Sequence, residues 1–95
     1  MVVITIDANG QPHPDPAPAK QKEQVTWNNK ANTSDGYDVK FTSESPFDVP
    51  DISVPAGGER GASVREDAVI KPGYKYDLIN TKTGRRLDPR IDIIR

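Results

Sequence analysis

Apolar and polar residues alternate with period two along most of this chain. In "VVITID" (2–7), Val2, Ile4 and Ile6 fall on one side, and in "QVTWN" (24–28) Val25 and Trp27 oppose Gln24, Thr26 and Asn28. "YDVKFT" (37–42) sets Tyr37, Val39 and Phe41 against Asp38, Lys40 and Thr42. "GYKYDLIN" (73–80) sets Tyr74, Tyr76 and Leu78 against Lys75, Asp77 and Ile79. Side chains of an extended chain point alternately to opposite faces, so each run predicts a half-buried strand. "RIDIIR" (90–95) predicts a closing strand, while "DISV" (51–54) and "ASVRED" (62–67) carry the pattern more weakly.

No window of 11 or more residues combines a helical stripe with start and stop signals, so helix is limited to a turn or two. The nine prolines and seven glycines fall between the alternating runs, where turns belong. Many short strands separated by such turns predict an all-β sandwich. "GQPHPDPAPAK" (10–20) has proline at every second position from Pro12 to Pro18. Proline cannot donate to a ladder, so this segment reads as a rigid extended crossover lying along a sheet edge.

The 95 residues make one domain. A chain of that size buries roughly 60–70% of its unfolded surface, enough for one modest core. Only 34% of residues are hydrophobic and 28% are charged, so the apolar positions must be used efficiently. The net charge of −1 gives no general pull toward nucleic acid or an anionic membrane. It conceals an asymmetry: residues 71–95 hold seven Lys/Arg against three Asp, or +4, and residues 1–70 hold six against eleven acids, or −5. There is no cysteine, which excludes disulfides, thiolate metal ligation and cysteine nucleophiles. No run approaches the roughly 18 apolar residues of a membrane span. "MVVITID" lacks the basic flank and apolar centre of a secretory signal, so the chain as it stands is cytoplasmic or an exported form with its signal removed.

Several motifs then line up in order. A first strand and a Pro-rich crossover lead into "QVTWNN", and an Asn-rich loop leads to the aromatic-started strand "YDVKF". "SPFDVPDISVPAGG" follows, then "GYKYDL", a loop, and the last strand "LDPRIDII". This order resembles the cupredoxin superfamily, the Greek-key sandwich of plastocyanin-like proteins, over nearly the whole chain. The resemblance implies a copper site made of a His opening the strand after the Trp–Asn loop, a Cys ending the penultimate strand, a second His soon after, and usually a Met. Here Tyr37 stands at the first position, Leu78 (or Asp77 with a one-residue slip) at the second, and Thr81 near the third, while the only methionine is Met1. Blue copper needs an imidazole pair and a soft thiolate. The resemblance therefore implies the fold without its metal, and no cofactor. An immunoglobulin-like sandwich is the alternative, since Tyr76 also suits that family's tyrosine corner.

Candidate chemistry is sparse. His13, the sole histidine, is flanked by prolines in the crossover, with no nucleophile or second metal ligand assigned beside it. "DANG" (7–10) opens like a calcium loop but lacks the rest of that pattern, and Asn-Gly is a common hairpin turn. Asp48 and Asp51 belong to a turn, and "NTS" at Asn32 matches a glycosylation sequon. Trp27 reads as core rather than as a stacking platform. Tyr37 reads as an aromatic filling the volume a metal site would occupy. The best local hint is "NTKTGRR" (80–86), where Lys82, Arg85 and Arg86 could grip a carboxylate or phosphate by forked hydrogen bonds, against the plainer account of a solvated tip.

These readings predict no catalytic residues. They predict a binding or interaction module working through the pole formed by residues 28–37 and 79–88, with an unidentified protein or small anion as partner. A homo-oligomer joined through an edge strand and an enzyme with an unrecognised pocket are the competing classes.

Overall fold

Nearly every alternating run becomes a strand in the computed structural model, which describes the whole chain, residues 1–95. The strands are β1 (Val2–Ile6), β2 (Pro12–His13), β3 (Ala17–Lys20), β4 (Gln24–Asn28) and β5 (Tyr37–Phe41). They continue as β6 (Asp51–Val54), β7 (Glu59–Ser63), β8 (Tyr74–Asn80), β9 (Arg86–Leu87) and β10 (Arg90–Ile94). There is no helix, and so none long and apolar enough to cross a membrane.

Two mixed sheets form a sandwich. One runs β2-β1-β4-β7, and the other β3-β10-β8-β5-β6 with β9 also on β8. β1 pairs with β4 in parallel, and β3 with β10 in parallel, while the remaining pairings are antiparallel. The Pro-rich segment does cross between the sheets, but it is not wholly unpaired. Its two ends form short ladders, β2 on one sheet's edge and β3 on the other's. Edge placement is what lets Pro12 and Pro18 sit in strands, because an edge leaves one side of the strand without a bonding demand. The strand expected over 62–67 lies earlier, at 59–63. Val64 instead makes an isolated bridge to Phe47.

The inward positions form a single cluster of 18 buried residues. Trp27 is its largest member and is fully buried. Its ring meets Phe47 and Tyr76 edge-on, with centroids 5.7 and 5.6 Å away. The indole N–H donates to Tyr76 Oη at 3.3 Å, which satisfies the buried indole donor. Burial pushes the Tyr76 phenol above its ordinary value, keeping it protonated. That hydroxyl thus serves the indole, not a backbone corner.

Candidate functional site

Four chain segments converge at one end of the sandwich. The Asn-rich run after Trp27 is what joins them. Asn29 is fully buried. Its Nδ2 donates to the carbonyls of Asp35 (2.8 Å) and Pro55 (3.2 Å), and its Oδ1 accepts from Asn32 Nδ2 at 2.8 Å. Asn32 Nδ2 also donates to the Asp7 carbonyl at 2.9 Å, tying the end of β1 to the loop that leads into β5. A buried carboxamide is retained only if its polar atoms are satisfied, and these are.

Asn80, at the end of β8, is the second buried carboxamide. Its Oδ1 accepts the backbone N–H groups of Lys82 (2.9 Å) and Thr83 (3.1 Å), which shapes the loop "NTKTGRR" from within. Its Nδ2 donates to Asp35 Oδ2 at 3.0 Å and to Tyr37 Oη at 3.4 Å. The Asn80 bond, ahead of those from Ser34 and the charge of Lys82, holds the Asp35 carboxyl below its usual range. The loop closes at Gly84, whose φ of +76° suits glycine and whose N–H donates to the Asn80 carbonyl at 2.8 Å.

These groups surround a cleft of about 320 Å³, lined by Ala8, Asn9 and Gly10, by Asn32, Asp35 and Tyr37, and by Leu78, Asn80, Thr83, Arg85 and Leu87. The Asn9–Gly10 turn is a wall of it. Asp7 Oδ1 accepts the N–H groups of Asn9 and Gln11, both at 2.9 Å, which fixes the turn. Gly10 has φ +81°, and a Cβ there would lie 2.7 Å from Tyr37 Oη. The glycine thus makes the turn and also leaves room for the phenol. Nothing in a short Asn-Gly signal foretells that second role.

The three positions aligned with copper ligands do gather at this pole. Tyr37 and Leu78 line the cleft, and Thr81 Oγ1 donates to the Gly36 carbonyl at 3.1 Å. No group of three or more His, Asp or Glu side chains comes together anywhere in the chain. His13, expected as a partnerless loop side chain, instead pairs with Asp7, Nε2 to Oδ2 at 2.8 Å. That bond and the backbone donors, Gln11 first, hold the Asp7 carboxyl low.

The cationic loop divides. Lys82 Nζ lies 4.0 Å from Asp35, and an Arg86 guanidinium nitrogen 3.8 Å from Asp77. Along the basic C-terminal quarter Lys71, Lys75 and Arg90 also meet carboxylates, those of Glu44, Asp88 and Asp92. Arg85 forms no such pair, and it is the one cation among the cleft residues.

No known family model matches the chain, and no curated protein matches its sequence.

Proposed function

We propose that this chain is a non-catalytic binding module, a copper-free relative of the cupredoxin sandwich, and that its working surface is the pole around Tyr37 and Arg85. The observation that carries the reading is the polar cleft with one guanidinium free of any carboxylate partner. A forked cation without an internal partner suits an external carboxylate or phosphate. The gathering of Tyr37, Leu78 and Thr81 at one pole supports the cupredoxin relationship. The two parallel pairings weigh against the immunoglobulin alternative, whose sheets are antiparallel.

Convergent polar groups are also what an enzyme would present, but the chemistry here is thin. No serine, histidine, lysine or cysteine lines the cleft. Asp35 is its only carboxylate, and a carboxyl held low by its donors is a weak base. Binding without catalysis fits these groups better.

The test uses a partner captured from the native host. Arg85→Ala with Arg86→Ala should weaken its binding mainly through association rate and salt dependence. The contact is screened over about 8–10 Å at physiological ionic strength. Because Arg86 already faces Asp77, Arg85→Ala alone should account for most of the loss. Equal affinities for parent and double variant, at both low and high salt, would reduce the loop to a solvated tip.

A further inference from the structure

Two donors at the cleft have no acceptor within the protein. The first is the Tyr37 hydroxyl. Tyr37 is only 6% exposed, and its oxygen accepts from Asn80 Nδ2 at 3.4 Å. Asn80 cannot take the phenol proton in return. Its amide orientation is fixed by the two backbone N–H groups that Oδ1 accepts, and Nδ2 is a donor only. The Tyr37 proton therefore has no acceptor within the protein, on a side chain that lines the cleft. The second free donor is the Arg85 guanidinium.

Charge and size narrow what these donors would meet. Around the cleft stand Asp35, Lys82 and Arg85. Lys82 is set against Asp35 at 4.0 Å, leaving Arg85 as a net single positive charge. One unbalanced cation beside a carboxylate suits a monoanion better than a phosphate dianion, and a guanidinium fork matches the two oxygens of a carboxylate. The volume of about 320 Å³ stands at the small end of ligand sites. The remaining wall is carboxamide. Asn9's side chain makes no hydrogen bond within the protein. Asn32's amide nitrogen donates twice, and its Oδ1 accepts no hydrogen bond within the protein. Carboxamides and a carboxylate together accept from and donate to hydroxyls, which are themselves both donor and acceptor.

We propose that the cleft binds a polyhydroxylated monocarboxylate of about monosaccharide size, a sugar acid. Its carboxylate lies on Arg85 and Tyr37 Oη, and its hydroxyls on Asn9, Asn32 and Asp35. This rests on the reading of the pole as the working surface.

The experiment is an amide chemical-shift titration of the full-length protein with D-glucuronate as probe, run beside D-glucose and inorganic phosphate. Glucuronate should give saturable shifts at Gly10 and at Thr83 to Arg85, with glucose and phosphate binding at least tenfold more weakly. Arg85→Ala should weaken glucuronate at least tenfold. Tyr37→Phe, which keeps the ring and removes only the hydroxyl, should weaken it several-fold with the fold retained, read from unchanged amide shifts away from the cleft, and Lys40→Ala should leave it unaltered. Absence of saturable glucuronate shifts, equal binding of glucose or phosphate, or indifference to Arg85→Ala would each overturn the proposal. If glucuronate fails while a host partner still depends on Arg85, the recognition pole stands and only the ligand class falls. If both fail, the pole is not a binding surface.

Discussion

At the scale of single residues, the fold depends on Trp27 and the cleft on Asn32, Asn80 and Asp35, which their neighbours hold in place. Trp27 is fully buried against Phe47 and Tyr76. Trp27→Ala removes that packing and also takes the indole donor from Tyr76 Oη, at a cost of about 3–5 kcal/mol. That is a large share of the stability of a small domain. Urea unfolding measures it, and a variant as stable as the parent would refute the core role. Asp35 and Asp7 both have carboxyls held below the ordinary carboxylate value by hydrogen bonds formed in the folded chain. A depressed folded-state pKa adds stability above the unfolded value, and that stability is lost as pH falls through the folded one. The urea midpoint should therefore hold from neutral pH down to about pH 4 and fall below it. Asp35→Asn should flatten that acid limb. An acid limb as steep in the variant as in the parent would show that the Asp35–Asn80 bond adds nothing.

At the scale of elements, the edge strand β7 is the most restrictive. A Cβ at Gly61 would run into the Val25 carbonyl and lie 2.8 Å from Thr26 Oγ1, both on the paired strand β4. Gly61→Ala should therefore push β7 off β4 and cost about 1–3 kcal/mol. Gly73→Ala is a useful contrast: a Cβ there meets nothing within 4 Å, and the only penalty is its φ of +85°. Comparison of their urea midpoints, with amide exchange of β7, checks this, and equal losses with β7 protection unchanged would contradict it. The same strand shows where the sequence could be read and where it could not. β1, β4, β5 and β8 each bury one face, so alternation marks them plainly. β7 reads "ERGAS", with no large apolar residue, because close backbone approach to β4 sets its composition instead of core burial. β3 is hidden for another reason, the run of prolines that leads into it and Pro18 within it, which an edge tolerates. At the pole, the positions of Tyr37, Leu78 and the Arg85 loop followed from order along the chain. The contribution of Asn9 and Gly10 did not, since it depends on Asn32 reaching back to the Asp7 carbonyl across 25 residues.

At the scale of the whole molecule, charge is mostly settled internally. The basic quarter of the chain, +4 by sequence, faces carboxylates at Lys71, Lys75, Lys82, Arg86 and Arg90. These exposed pairs are each worth little to stability, so removing Arg85 and Arg86 should leave the melting temperature nearly unchanged. In the proposed reading they matter for recognition, since they leave Arg85 as the unmatched cation of the basic loop. The free edges of β6 and β7 offer a different kind of surface, suited to strand pairing with a second copy. The two surfaces are far enough apart along the chain to be told apart by one map. That map is the set of amide shifts in the labelled protein when the partner fraction of the native host is added at fixed protein concentration. Changes clustered at residues 8–10, 32–37 and 78–87 are the expected result. Changes confined to residues 49–53 and 59–63, or present already on raising the concentration of the protein alone, would contradict the recognition pole and make the chain an assembly subunit.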